Sequence, residues 1–361
     1  MSIYKEFNIV SAQSPESGDV VTNAKDIVSS GMFDAGKASI TTFFTSSTQS
    51  GSSGAHYLDV YSANPSTDTT AKPQFSVAYG HFNGSGSVGK QGVAGNRASA
   101  AIYRQLSNTL LGPNKSQFTF AGSGTNIKPK YIYAISMARQ QLREKMDPGN
   151  WELHLSGSAY GNTSGSQGKI KLIDDSGATT NPEVNQGGRV FNVVSGSIAT
   201  GTAVTKFTAA EQPGGALGLF YPDLGIIILN GPIVNASASL QTGLTSNVEG
   251  GNNVKFLRAI TGSAHTGFTG YFAARREEVI TSQHYFCRIP NKEFNFSSNP
   301  TFATASDGSL TQATFFKNPK TFITQVGLYN DDGELLAVAK LSKPLLKSYS
   351  REAIIKVKLD F

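Results

Sequence analysis

The sequence predicts a mainly β protein with a few short helices, built from β-sandwich-like domains. Glycine is plentiful, with 38 residues among 361, and charged residues make up only 16% of the chain, against about a quarter in an average soluble protein. Many short apolar runs also alternate with polar residues and are separated by turn-forming residues, which is the pattern of half-buried strands. This composition fits poorly with a helical protein or a doubly wound enzyme.

The C-terminal segment carries the clearest local signal, a β-hairpin from Thr321 to Ser342. Two alternating runs flank the turn sequence Asn-Asp-Asp-Gly at residues 330–333, and an Asp-Gly turn between such runs is a strong hairpin signal. The alternation places residues 322, 324, 326 and 328 on one face. Lys343-Pro344 is expected to end the second strand, because proline has no N–H for the ladder. A final run, Ala353 to Phe361, predicts an anchored terminal strand.

Shorter elements are predicted along the rest of the chain. An amphipathic helix is expected from Ala98 to Leu110, after an N-cap at Asn96. Two further helical pieces are predicted, at Val20–Ser30 and Ala138–Met146. Strands are predicted at residues 38–45, 56–61, 74–79, 130–137, 151–155, 169–173, 189–194, 217–220, 225–229, 254–260, 271–280 and 284–289.

The turn sequence Asp147-Pro148-Gly149-Asn150 suggests a domain boundary. We expect an N-terminal α+β domain over residues 1–150 and a β-rich, sandwich-like domain over 151–275. A C-terminal β module over 276–361, with the hairpin and the terminal strand, is expected to pack back on the N-terminal domain. No fixed-period repeat is present, which disfavours propellers and solenoids.

The basic residues are unevenly distributed, and this points to an interaction surface. Residues 69–143 contain no acidic side chain but many lysines and arginines, a pattern that attracts acidic surfaces or polyanions. An acidic protein partner is favoured over nucleic acid, because the cations are spread thinly. The interface candidates are Lys90, Arg97, Arg104, Lys128 and Lys130, with Tyr329 and Phe361 from the C-terminal strands.

No motif predicts catalysis, a cofactor or a metal ion. Gly84 to Lys90 satisfies a phosphate-loop pattern, but Gln91 replaces the Ser/Thr that would bind magnesium. The five histidines lack metal-ligand spacing. Trp151, with Glu152 and His154, is either a sugar platform or, as the favoured alternative, a core anchor. The first residues lack a signal-peptide core and no apolar stretch predicts a membrane span, so a soluble protein made in the cytoplasm is expected.

Val326 to Leu341 (VGLYNDDGELLAVAKL) resembles a motif of tail-fibre and collar proteins of tailed bacteriophages. Together with Glu277–Asn299 and Ile354–Phe361, the segment is similar to virion structural proteins of large contractile-tailed, T4-like marine phages. This resemblance implies a non-enzymatic subunit of the baseplate wedge, located in the virion tail. Its partners would be other baseplate proteins and copies of itself. The alternatives are a tail-fibre adaptor or glycan-binding adhesin, and an enzyme that uses Gly84–Lys90.

Overall fold

The computed structural model describes residues 20–46, 57–86, 97–121, 126–156, 169–179, 181–198, 216–238, 251–262, 269–304 and 307–361. Contacts divide the chain into two compact units. The core unit comprises Val28–Glu278, and the terminal unit comprises Met1–Ile27 together with Val279–Phe361. These bounds differ from the predicted division at residue 150, which falls inside the strand Lys145–Ser156.

Strands account for 49% and helices for 15% of the structure, which confirms the mainly β prediction. The strands are β1 (Val20–Gly31), β2 (Ser39–Ile40), β3 (Tyr57–Tyr61), β4 (Pro73–His81), β5 (Tyr131–Met137), β6 (Lys145–Ser156), β7 (Lys169–Asp174), β8 (Glu183–Asn185), β9 (Gly188–Ser195), β10 (Gly218–Tyr221), β11 (Ile226–Asn230), β12 (Phe272–Ile289), β13 (Thr321–Tyr329), β14 (Leu335–Lys347) and β15 (Ala353–Asp360). The helices are α1 (Ala98–Leu110), α2 (Arg139–Leu142), α3 (Gly231–Ala238), α4 (Asn252–Thr261) and α5 (Thr314–Lys317). Among the described residues, none of these helices has both the length and the apolar character needed to cross a membrane.

The sheet of the core unit curls, so that its inner face packs against itself. Its strands follow the order β12-β6-β7-β9-β10-β11-β5-β4-β3. Phe272 of β12 and Phe75 of β4 lie far apart in this order, yet their ring centroids are only 5.2 Å apart. Trp151 of β6 likewise contacts Phe220 of β10 at 5.3 Å. Such aromatic contacts between distant strands contribute buried area, and the edge-on Phe75–Phe272 pair adds edge-to-face attraction.

Helices cover both faces of the curled sheet. On the inner face, Phe256 of α4 stacks on Tyr133 of β5 with ring centroids 4.7 Å apart. On the outer face, α1 contributes Tyr103 and Leu110 to a second buried cluster. Strands β10 and β11 lie between these layers and are buried along their whole length. Gly80 lets α1 approach closely, because a Cβ there would lie 3.2 Å from the Tyr103 Cα atom.

In the terminal unit, the predicted hairpin packs on two paired strands. Residues Ser282–Ile289 of β12 pair with β15, and the Phe361 N–H donates to the Thr281 carbonyl at 2.9 Å. Strands β13 and β14 form a separate antiparallel pair. Their inner residues form one apolar cluster with the β12–β15 pair, which includes Val326, Leu328, Ala339, Leu341, Ile355 and Val357. The predictions of the hairpin and of the anchored terminus are confirmed.

A buried lysine fixes the base of the hairpin. Lys347, at the end of β14, is fully buried. Its Nζ atom donates to the Asn291 carbonyl at 2.9 Å, to Asn295 Oδ1 at 3.2 Å and to the Ser348 carbonyl at 3.2 Å. Burial lowers the pKa of Lys347 below its ordinary value. The three neutral acceptors offset the cost of desolvating the ammonium group.

The prediction that Lys343-Pro344 ends the second strand is wrong. Strand β14 continues to Lys347, and its register with β13 shifts between Ile323 and Gln325. Proline is tolerated here because Pro344 lies within this irregularity, between Lys340 (paired with Gln325) and Leu345 (paired with Ile323), where no ladder pairing requires its N–H. The same shift changes the predicted faces: Phe322 and Thr324 are exposed, whereas Ile323, Val326 and Leu328 turn inward.

Two predictions of secondary-structure type are also wrong. Residues 20–30 form a strand instead of a helix, because pairing with β12 combines with the β-branched residues in that segment. Residues 254–260 form α4 instead of a strand. The buried positions Phe256, Ala259 and Ile260 recur at three- and four-residue spacing, which is a helical period that a seven-residue window does not separate from a buried strand.

Several predicted elements are shorter or differently bounded. Of residues 38–45, only Ser39 and Ile40 form a strand, and the helical piece at 138–146 reduces to α2. The predicted turn at Asp147–Asn150 lies inside β6, where the register with β12 shifts. Gly149 has a φ angle of 80° there, and its N–H donates to Asp174 Oδ2 at 2.8 Å. The turn-like residues therefore form a bulge.

We predict that Phe272→Ala destabilises the core unit strongly. The Phe272 ring is buried between Phe33 and Phe75, so its removal leaves a cavity and costs about 3–5 kcal/mol. Trp151, the only tryptophan, is buried in the same unit and reports its unfolding in urea by fluorescence. The exposed substitution Val184→Ala should change the free energy of unfolding by less than about 0.5 kcal/mol. A loss below about 1 kcal/mol for Phe272→Ala would contradict the described packing.

Candidate interaction surfaces

The structure distributes the predicted interface residues over both units. Lys90 lies outside the described residues. Arg97, Arg104, Lys128 and Lys130 belong to the core unit, whereas Tyr329 and Phe361 belong to the terminal unit. The Phe361 ring is exposed although its backbone is held by Thr281.

The basic candidates of the core unit lie around one end of β4 and β5. The Phe82 N–H donates to the Lys130 carbonyl at 2.7 Å, which joins the segment after β4 to the start of β5. At Gly84, a Cβ would lie 3.1 Å from the Cβ of Arg97, so the start of α1 is adjacent. Burial lowers the pKa of His81 at this end, and the charge of Lys130 lowers it further. The end of the sheet therefore carries a concentration of positive charge.

Acidic residues from elsewhere in the core unit neutralise part of the basic stretch. Arg143 donates to both carboxylate oxygens of Glu278, at 2.9 and 3.1 Å. Lys115 lies 3.6 Å from Glu183. Arg104, Lys128 and Lys130 are exposed and make no ion pair within the described part of the chain, so they remain available to an acidic partner.

The described part of the glycine-rich motif forms a turn with its carbonyl groups in use. Ser99 Oγ donates to the Ser85 carbonyl at 3.2 Å, and Asn252 Nδ2 donates to the Gly86 carbonyl at 2.6 Å. A phosphate loop instead presents converging backbone N–H groups to its ligand. Positions 87–90, with Lys90, lie outside the described residues. That the motif binds no nucleotide therefore stays a prediction.

The outer face of the hairpin is a second candidate surface. We use this name for the exposed side of β13 and β14, which carries Phe322 (62% exposed), Tyr329 (42%), Leu335 (51%), Leu336 (67%) and Val338 (57%). The exposed pair Gln325–Lys340 lies between Phe322 and the other four residues. Monomeric soluble proteins rarely expose contiguous apolar patches above a few hundred Å². These large exposed apolar side chains make the outer face a candidate contact surface.

Glycine gives the outer face its local shape. Gly327 pairs with Val338 across the hairpin. A Cβ at Gly327 would lie 2.9 Å from the Tyr329 ring and 3.2 Å from Leu335 Cδ1. The Tyr329 ring and the Leu335 side chain therefore lie over the glycine and form a compact apolar cluster near the turn.

A buried polar cluster lies elsewhere in the core unit. His154 Nε2 is 2.5 Å from Glu152 Oε1, while Ser197 Oγ and the Ile198 N–H each donate to Glu152 Oε2 at 2.8 Å. Lys171 Nζ lies 3.6 Å from the same carboxylate. Burial alone would raise the pKa of Glu152, but these hydrogen bonds outweigh it, and the pKa lies below its ordinary value.

This cluster is organised around the carboxylate and not around a nucleophile. An activated serine donates its hydroxyl proton to a base such as histidine, whereas Ser197 donates to Glu152. The contacts join β6 to the segment after β9, so the cluster is a structural connection. Trp151, next to it, is fully buried. It is therefore a core anchor, and it cannot stack on a sugar.

No family model matches the chain, and no curated protein or solved structure matches it. The function therefore has to be argued from the surfaces themselves. The sequence identified Tyr329 as a candidate but missed Phe322, Leu336 and Val338. The sequence signal for these residues is that large apolar side chains occupy both the odd and the even positions of the hairpin strands. A sheet with one solvated face needs apolar side chains on only one of its two sides.

We predict that Glu152 makes the core unit sensitive to acid. Because the folded-state pKa is below 4.5, the unfolded state binds more protons as the pH falls. The stability that Glu152 contributes is complete above about pH 4.5 and is lost as the pH falls through the folded-state pKa. Glu152→Gln should lower the urea midpoint at neutral pH and flatten its decline in acid.

The matched control is Glu183→Gln, since Glu183 belongs to the same unit but is largely exposed. This variant should keep the decline of the wild-type protein. If Glu152→Gln also keeps that decline, the carboxylate is not the group that responds to acid.

Proposed function

We propose that the protein is a structural subunit that performs no catalytic turnover and assembles with other proteins through its surfaces. The outer face of the hairpin is the observation that carries this proposal. Its five large side chains are 42–67% exposed, although the opposite side of the same two strands is packed on β12 and β15. Covering apolar surface contributes about 25 cal/mol per Å², so this face supplies a driving force for association.

The rigidity of the hairpin supports this role. Lys347 ties the base to Asn291 and Asn295. At the turn, the Asn330 N–H donates to the Glu334 carbonyl at 3.0 Å, and the Glu334 N–H donates to Asn330 Oδ1 at 2.7 Å. A surface held in one conformation loses little entropy when it binds.

We further propose that the assembly is the tail baseplate of a contractile-tailed phage, with the chain as a wedge-type subunit. The support is the resemblance of Val326–Leu341 to phage virion proteins. That stretch forms most of the hairpin, and it carries four of the five large residues of the outer face. The exposed Arg104, Lys128 and Lys130 offer a second contact surface for an acidic neighbour in the same assembly.

The test is incorporation into purified phage particles. The protein should be present in particles at a copy number that is a multiple of six, and imaging should locate it in the baseplate. Its recovery only from the soluble fraction of infected cells would contradict the proposal.

We predict that Val338→Asp reduces incorporation at least about tenfold, because a buried unpaired carboxylate strongly disfavours an apolar interface. Val184→Asp is the matched control, since Val184 is also an exposed strand valine but belongs to the core unit. Quantitative mass spectrometry of purified particles measures both variants. Equal incorporation of the two variants would remove the outer face from the assembly contacts.

A further inference from the structure

At the base of the hairpin, the amine of Lys347 lies against the side chain of an asparagine. Lys347 and Asn295 are both buried, with 0% and 9% of their surfaces exposed. The Lys347 Nζ atom is 3.2 Å from Asn295 Oδ1. Because a carbonyl bond is about 1.23 Å long, Nζ lies at most about 4.4 Å from the Asn295 Cγ atom. An amine nitrogen and a carboxamide carbon are therefore close neighbours in the interior of the terminal unit.

The other contacts of Nζ fix the direction in which it faces Asn295. Nζ also donates to the carbonyl of Asn291 at 2.9 Å and to the carbonyl of Ser348 at 3.2 Å. An ammonium group has three N–H donors, one for each of these three acceptors. Loss of the proton directed at Asn295 leaves the bonds to both backbone carbonyls in place. The lone pair of the neutral amine then points at the Asn295 side chain.

The surroundings of Lys347 favour this neutral amine, which is the nucleophilic form. All three acceptors of Nζ are neutral oxygen atoms. Burial lowers the pKa of Lys347, and the more distant charges of Glu293 and Glu352 oppose this effect without reversing it. Desolvation of this kind is one of the ways in which proteins activate a lysine as a nucleophile.

The carboxamide of Asn295 is held in place for the reaction. Its Nδ2 atom donates to the same Asn291 carbonyl at 2.6 Å, so its carbonyl end faces Nζ. The terminal torsion of an asparagine side chain has a broad minimum, and a small rotation presents Cγ to the lone pair. Two groups fixed in this way react as one molecule, which replaces a rare encounter by a permanent one.

We propose that Lys347 and Asn295 form an isopeptide bond, which joins the hairpin base covalently to the segment after β12. The neutral Nζ attacks Cγ, and the electron pair of the carbonyl moves to Oδ1. A proton passes from Nζ to Nδ2, the Cγ–Nδ2 bond breaks, and ammonia leaves as the carbonyl forms again. The product is an amide between Nζ and Cγ, and no oxidant or cofactor is consumed. The N–H that remains on Nζ donates to one of the two backbone carbonyls.

The bond closes a loop that contains β13 and β14. Residues 295 and 347 are 52 positions apart in the chain. The sequence has a single cysteine, so a disulfide within it cannot provide such a cross-link. A cross-link stabilises a protein mainly by restricting its unfolded chain. The isopeptide bond therefore keeps the hairpin base attached even when the terminal unit unfolds.

Intact-mass spectrometry of the full-length protein, denatured after several days in mildly alkaline buffer, tests the bond. The wild-type protein should be about 17 Da lighter than a chain of its sequence, because one ammonia is lost. Lys347→Arg should keep the full mass, since the guanidinium stays protonated. Lys343→Arg changes an exposed lysine of the same strand and should show the wild-type loss. A wild-type protein of full mass overturns the inference.

A tryptic peptide map locates the bond. Residues 293–317 and 341–351 should appear as one branched peptide, because trypsin does not cleave after an acylated Lys347. Succinimide formation at an Asn-Gly sequence, such as Asn83-Gly84, removes the same mass but leaves these two peptides separate. A mass loss without the branched peptide, or one that persists in Lys347→Arg, overturns the inference.

The variant Asn295→Ala tests the carboxamide independently of the amine. Lys347 keeps its two backbone acceptors in this variant, while the carbon that it attacks is absent. The variant should have its full mass and should migrate more slowly than the wild-type protein in a denaturing gel, because the closed loop makes the unfolded wild-type chain more compact. A loss of ammonia from Asn295→Ala equal to that of the wild-type protein overturns the inference.

Discussion

The hairpin of β13 and β14 has two apolar faces, and only one of them can pack on β12 and β15. A two-stranded sheet separates its side chains into two rows, one on each side. In this chain the inner row joins the cluster around Ile355 and Val357, while the outer row remains exposed. Covering the outer row would bury apolar surface that the packing within the terminal unit leaves exposed, and this is the free energy on which the proposed association depends.

The rest of the terminal unit holds this surface in place. Residues Ser282–Ile289 of β12 and the terminal strand β15 form the platform, and the buried Lys347 connects the hairpin base to the segment after β12. In the core unit, the polar side chains with strong contacts, Glu152 above all, serve the connection between strands. The buried polar groups Glu152 and Lys347 thus have structural roles, and the exposed surfaces carry the proposed function.

Much of the fold follows from local sequence signals. The hairpin, α1 and most short strands depend on turn residues and on nearby alternation, which are readable along the chain. The curl that brings Phe272 to Phe75 is not readable, because it depends on contacts between distant segments. The type of α4 was missed because a short buried helix and a buried strand look alike. The outer face is only partly predictable: Tyr329 is among the predicted interface residues, but the register shift near Pro344 places Phe322 on the opposite face from Val326 and Leu328, with which the simple alternation groups it.

Side-chain footprinting of the hairpin, in the free protein and in purified particles, tests the central claim most directly. A carbene or hydroxyl-radical label reacts with exposed side chains, so Phe322, Leu336 and Val338 should be labelled in the free chain. In particles, we expect these residues to be protected, while the exposed Val184 of the core unit serves as the internal reference. Equal labelling of Phe322, Leu336 and Val338 in both states would contradict the claim that the outer face is an assembly contact.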